Sequence, residues 1–163
     1  MKKITFLALL SILTLSAIAQ NKFGHINAQE ILLLMPETKE AEKKLLEKEA
    51  SIKTALQRLY AEAEAIELSF QQNAANLDEL EKQDAQQEYQ HIAERVQLYE
   101  RTGQEDYQKM QQELLVPINK KLKDAINEVA VEGNYTYIFA DEILRYKDDK
   151  NDVSALVKKK LGL

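Results

Sequence analysis

The 163-residue chain has no cysteine and no tryptophan, only two prolines and four glycines, and fewer basic than acidic side chains. Without cysteine there is no disulfide, no thiol chemistry and no attachment point for a lipid on sulfur, so stability has to come from helix packing or from assembly. With 22 Lys and Arg against 27 Asp and Glu, the net charge is −5. That balance argues against a nucleic-acid binder or an anionic-membrane binder, which need a basic surface. Histidine is scarce too. His25 and His91 are far apart in sequence and have no clustered ligands, so they read as a sheet-edge side chain and a polar helix face. No catalytic constellation, metal site or cofactor motif emerges, and the chain is not expected to be an enzyme. Asp148, Asp149, Asn151 and Asp152 superficially suggest a calcium loop, but Lys150 occupies the third position and the glycine and distal glutamate are missing; a turn with a helix cap is the simpler reading.

Long apolar runs are also missing. The longest, Ile4 to Leu15, follows Lys2 and Lys3 and precedes Ala17-Ile18-Ala19. A positive start, an apolar run of about a dozen residues and a small-x-small site describe a secretory signal over residues 1–19, too short for a membrane anchor. The chain is therefore expected to be exported, with Gln20 first in the mature protein and no stable membrane insertion. Removing Lys2 and Lys3 leaves 20 basic against 27 acidic residues, a net charge of −7.

What the chain does have is a heptad pattern from Pro36 to Glu132, broken near Asn73–Asp78. Leu45, Ile52, Leu59 and Ile66 recur every seven residues, with Glu49, Leu56, Ala63 and Phe70 as the companion column. Past the break the matching columns are Ala85, Ile92, Tyr99 and Asp106, and Tyr89, Val96, Gly103 and Met110. Two apolar columns at this spacing make one seam, so the pattern predicts a long antiparallel helical hairpin. At 1.5 Å per residue the first arm, to about Gln72, is roughly 55 Å long. Folded about residue 77 or 78, facing positions have numbers summing to about 155, so that Leu59 meets Val96 and Ala63 meets Ile92; a sum nearer 152 also fits the pattern. Asn76 with Glu79, or Asp78 with Glu81, supplies the cap of the returning helix. In the 155 register Glu49 faces Asp106 and Ile52 faces Gly103. An acid pair beside a mid-helix glycine marks a candidate flexure, with both acids pointing to solvent as the alternative. Pro117, which removes a helical hydrogen bond, is a second candidate bend.

Outside the hairpin the elements are short. Phe23 to Ile26 reads as a strand, with Asn27 and Glu30 forming a capping box for an apolar segment that runs to Met35. That segment is apolar all round and so is expected to be buried. Ile118, Leu122, Ala125, Ile126 and Val129 form a new stripe, and Gly133-Asn134 ends its helix. Tyr135 to Phe139 and Ile143 to Tyr146 read as strands, and Asp152 caps a terminal helix from Val153 to Leu161. The fold class is mostly α with a small β body (α+β). Residues 36–117 form the hairpin arm, and residues 20–35 with 118–163 form the body. Three short strands cannot close a sheet, and their open edges invite self-association.

The order of these pieces resembles the Skp/OmpH family of periplasmic chaperones. The likeness is carried by Phe23-Gly24-His25-Ile26-Asn27-Ala28-Gln29-Glu30-Ile31 and by Met35-Pro36-Glu37. Leu114-Leu115-Val116-Pro117-Ile118, Ala125 to Ala130, Gly133 to Phe139 and the Asp152–Leu161 ending carry it further. The resemblance implies a homotrimer whose strands build a shared body and whose arms surround a cavity. Unfolded outer-membrane proteins would be held there without ATP, in the periplasm. The best-known members are strongly basic, whereas this chain is acidic, with Glu67, Asp78, Glu79 and Glu81 near the hairpin turn. That counts against charge-steered capture and against lipopolysaccharide binding, and leaves weak apolar contact. Tyr60, Leu68, Leu98 and Tyr107 lie off the seam and are the candidate client-binding residues, with ordinary surface exposure as the alternative. A trimeric coiled-coil spacer or adaptor of the cell envelope is the other function class that fits.

Overall fold

The computed structural model describes residues 21–73 and 76–163. The signal segment read at residues 1–19 lies outside the described residues. In chain order the elements are β1 (Phe23–Ile26), α1 (Ala28–Leu34), α2 (Pro36–Asn73), α3 (Glu79–Glu132), β2 (Tyr137–Ala140) and α4 (Ser154–Leu161), with short 3-10 turns at Asp141–Ile143 and Asp149–Asn151. The fold is mostly helical with a small sheet, as the pattern predicts. It divides into two compact units, one of residues 32–121 and one of residues 21–31 with 122–163.

The larger unit is the helical hairpin. Its register is the one whose facing positions sum to 155, because Ile52 packs directly over Gly103. Leu59, Ile92 and Val96 form its buried cluster, with Ala63, Ile66 and Tyr99 packed against them. The seam is tight in this middle stretch and toward its base, where Ala41, Leu45 and Ile118 are buried. Toward the turn Phe70 and Ala85 are only half-buried, and Tyr89, a seam position by pattern, is 45% exposed. Asp78 opens α3 through a reciprocal capping box: its carboxylate accepts from the Glu81 amide at 2.8 Å, and its own amide donates to the Glu81 carboxylate at 2.8 Å. Pro117 sits inside α3, which continues without a break to Glu132.

The smaller unit is built on two strands. β1 and β2 pair in parallel, Phe23 opposite Tyr137 through Ile26 opposite Ala140. Parallel neighbours need a long crossover, and the helices between them supply it. The second strand expected at Ile143–Tyr146 does not form. The chain turns into a 3-10 helix straight after β2, and Ile143 and Tyr146 are exposed. Strand-forming composition is not enough where no neighbour offers a ladder. Ile26, Ile31, Leu122, Ala125, Val129, Val153 and Val157 form the buried apolar set here.

The C-terminal ends of α3 and α4 close with left-handed residues, Asn134 and Gly162. At the end of α3 Asn134 takes a φ of 52°, the Tyr135 amide returns to the Ala130 carbonyl at 2.9 Å, and the Asn134 amide to Val131 at 3.3 Å. This is a Schellman motif. Gly133 is required for a different reason: a Cβ there would lie 2.3 Å from the Tyr135 ring. The apolar run around α1 is less buried than its composition predicts. Ile31 and Met35 are buried, but Leu33 and Leu34 are exposed at 56% and 44%.

Candidate functional site

The hairpin offers open grooves on both sides of its seam. One is lined by Ala55, Arg58, Leu59, Glu62, Arg95, Leu98, Tyr99 and Thr102. The Arg95 guanidinium reaches Glu62 at 3.3 Å across its mouth. Leu98, 53% exposed, is thus a candidate client residue with an apolar floor beside it and charge around it. Another groove is lined by Glu49, Ile52, Leu56, Glu100, Gln104 and Tyr107. The Tyr60 hydroxyl donates to Glu100 at 2.5 Å. That acceptor holds the phenol proton, so the Tyr60 pKa is raised. Tyr60 and Tyr107 are therefore neighbours through Glu100, while Leu98 belongs to a different groove and Leu68 lines neither.

A candidate was missed because the heptad pattern assigned it to the core. Tyr89 lines an open groove with Ile66, Phe70, Ala85 and Gln86. The usable signal was the narrowness of its partners: opposite Tyr89 the seam offers Ile66 alone, which cannot cover a phenol ring.

The candidate flexure residues separate into distinct roles. Gly103 is buried, and a Cβ on it would stand 3.1 Å from Ile52 Cγ2, so the glycine admits a close approach of the two helices. Glu49 and Asp106 are both exposed, and Asp106 pairs with Lys48 at 3.0 Å. Solvation and a cation thus relieve the acid pair read from the pattern. Pro117 lines a shallow groove with Glu37, Ala41, Leu114, Ile118 and Lys121. Lys121 pairs with Glu37 and lowers the pKa of that carboxyl.

In the smaller unit, His25 is no sheet-edge side chain. It is 3% exposed, with Nδ1 at 2.8 Å from Asp141 Oδ1 and Nε2 at 3.0 Å from the Asp148 carbonyl oxygen. The acidic turn that superficially suggests a calcium loop has ordinary capping duties. Asp148 accepts from the Lys150 amide at 3.1 Å, and Asp152 accepts from the Ser154 amide at 2.7 Å. Among the described residues no group of three or more His, Cys, Asp or Glu is placed to hold a metal, and no helix is long and apolar enough to cross a membrane.

The aromatic face of the sheet is the other notable surface. Phe23, Tyr137 and Phe139 stack with ring centroids about 6 Å apart, at 6.0, 6.2 and 5.9 Å. Phe23 and Tyr137 remain largely exposed.

Comparison with known proteins fits this architecture. A crystal structure of a Caulobacter crescentus chain assigned as an outer membrane chaperone (OmpH-like) superposes with a TM-score of 0.70. The two chains are 12% identical, and the match covers 88% of this chain and 85% of that one, which establishes a common fold. No curated protein matches the sequence. The model of the family described as outer membrane protein (OmpH-like) matches residues 22–161, nearly the whole chain, and the protein therefore belongs to the OmpH-like family.

Proposed function

We propose that this protein is an ATP-independent holdase chaperone of the periplasm that binds unfolded outer-membrane proteins and keeps them from aggregating. The observation that carries the reading is the family match over residues 22–161, joined to a hairpin whose walls scatter exposed apolar side chains among polar ones. The structural relative described as an outer membrane chaperone (OmpH-like) supports the same assignment.

The chain acts as a homotrimer, and its arms enclose the client. The two-stranded sheet with its exposed Phe23 and Tyr137 beside the half-buried Phe139 supports self-association, since open edges and an apolar face are costly in water. Tyr60, Leu68, Leu98 and Tyr107 contact the client, and Tyr89 joins them. Tyr89, Leu98 and Tyr107 line three different grooves, which suits many weak contacts along an extended chain better than one tight pocket. Holding requires only that these contacts favour the unfolded client over its aggregated or prematurely folded forms. The layer at Glu49, Gly103 and Asp106, together with Pro117, gives the arm its flexure.

Dilution of a denatured β-barrel membrane protein into buffer with and without this protein tests the reading by light scattering. Suppressed scattering in the absence of ATP is expected at a few-fold excess of trimer; unchanged scattering would remove the chaperone assignment. Mass measurement in solution is expected to give three chains, and a stable monomer would contradict the open-edge argument.

A further inference from the structure

His25 is buried between two oxygens and no donor. Its Nδ1 meets Asp141 Oδ1 at 2.8 Å, and its Nε2 meets the carbonyl of Asp148 at 3.0 Å. A carbonyl can only accept. The Asp141 carboxylate is an anion, because its other oxygen takes the Lys147 ammonium at 2.5 Å. A neutral imidazole has one N–H and one lone pair, so either tautomer would press a lone pair against an oxygen. The imidazolium alone donates to both.

The surroundings agree in sign. Asp152 pairs with His25 through a β-bridge and adds a second nearby carboxylate. The nearby cation, Lys147, sits on the far oxygen of Asp141, with Asp149 also acting on it. The same histidine holds the chain by its backbone, its carbonyl accepting from the Val153 amide at 2.9 Å. Its ring partners come from 116 and 123 residues away. The segment 141–152 contains no helix longer than a 3-10 turn, so these contacts are its main attachment to β1.

We propose that His25 is held as the imidazolium in the folded protein and acts as a proton-dependent latch that fastens residues 141–152 to β1. Loss of the proton leaves the Nε2 lone pair facing the Asp148 carbonyl, while Nδ1–H can still serve Asp141. Release therefore starts at the turn Asp149–Asn151, and it frees the segment that carries the exposed Ile143 and Tyr146. Burial by itself would lower the histidine pKa. The Asp148 carbonyl and the Asp141 carboxylate more than offset it, and the value is raised from 6.5. With a raised folded pKa the latch contributes fully below about 6.5 and is lost as pH rises through the folded value. The latch does not depend on the chaperone assignment.

The full chain labelled with 15N tests this by long-range 1H–15N spectra of its two histidine rings across pH, with amide exchange followed in parallel. Two protonated ring nitrogens on His25 are expected, with a midpoint above 6.5. Exchange at the Asn151 and Val153 amides, corrected for intrinsic rates, is expected to accelerate through that midpoint. The gain should be about tenfold for each unit by which the midpoint exceeds the ordinary value. In His25→Gln the pH step disappears, and in His91→Gln it stays. Should His25→Gln fail to fold, Asp141→Asn gives the second reading: it removes the carboxylate, and the His25 midpoint falls. A ring with a single protonated nitrogen at pH 6, a midpoint at or below 6.5, or exchange with no pH step would each overturn the proposal.

Discussion

The two units of this protein are held together by opposite means. The hairpin's buried cluster, Leu59, Ile92 and Val96 with Ala63, Ile66 and Tyr99, is one apolar stripe between polar walls, and its cross-helix polar contacts are surface pairs. The smaller unit spends a buried histidine, two acids and a lysine on fastening one segment. A seam of repeated apolar layers is tolerant, because each layer is a similar contact and none needs a fixed angle. A hydrogen-bonded latch is directional, and it fails when one donor is lost. The tolerant region is the one whose walls carry scattered exposed apolar side chains, the proposed client contacts. The directional region is the one on which, in the proposed trimer, chains would assemble.

The largest break of that contrast comes from the seam. Ile92→Ala removes a buried side chain from the central layer and is expected to cost about 2–5 kcal/mol. Urea unfolding followed by helix signal checks it, and a cost below about 1 kcal/mol would mean that the layers at Leu59 and Val96 collapse to fill the gap. Asp78→Ala takes away one half of the box that starts α3 and is expected to cost about 1 kcal/mol in the same assay.

Gly103→Ala sharpens the comparison because two effects oppose. Replacing the glycine gains about 1 kcal/mol of helix propensity. The new methyl meets Ile52 at 3.1 Å, and Ile52 must yield a few tenths of an ångström. Ile52 is half-buried at the edge of an open groove, so it yields and the net change is a stabilisation below about 1 kcal/mol. A loss would show that the seam is as rigid at this layer as at Ile92. Lys48→Met, which deletes the partner of Asp106, is expected to change stability least, by well under about 1 kcal/mol, since both side chains are substantially solvated.

Acid gives the smaller unit a second boundary. Burial would raise the Asp141 and Asp152 carboxyls, but Lys147 and His25 at Asp141, and Ser154 at Asp152, bring both below 3.8. Their contribution is therefore complete above about 3.8 and is lost as pH falls through the folded values. Together with His25, this places the firmest attachment of residues 141–152 between pH 3.8 and 6.5. Protection of the Val153 amide, corrected for intrinsic exchange rates, should be greatest in that window. The layer of Leu59, Ile92 and Val96 contains no ionisable group to respond.

The hairpin was legible in the sequence because its information is local and repeated. Seven-residue spacing survives a single odd position, so Glu49 and Asp106 do not hide the seam that Leu45, Ile52 and Leu59 announce. The break at 73–78 was legible for the same reason, and of the two caps the sequence offered, the structure forms Asp78 with Glu81 and not Asn76 with Glu79. The body was less so, since its determinants are distant. Nothing near His25 says that Asp141 and Asp148 will close on it, and its setting in an apolar strand, with an acid-rich segment elsewhere in the chain, was the available hint. Ile143 to Tyr146 has strand composition but no partner, and tertiary context outweighs propensity there. Tyr89 went the other way: its heptad position was right, and its ring is too large for the half-seam it faces.

The four off-seam residues test where the holding surface lies. Tyr60, Leu68, Leu98 and Tyr107 changed together to serine should leave the fold nearly as stable, because none is fully buried and the central layer is untouched. Client affinity should fall. Unchanged affinity with an intact fold would move the contact surface elsewhere, with the Tyr89 and Phe70 groove next in line.

On the proposed reading, an acidic arm holds its client by many weak apolar contacts and not by charge. Aggregation of a denatured β-barrel membrane protein, followed by light scattering at low and at high salt with a few-fold excess of this protein, tests it most directly. Suppression is expected at both, since apolar contact survives screening whereas steering between charges does not. Suppression confined to low salt would contradict it.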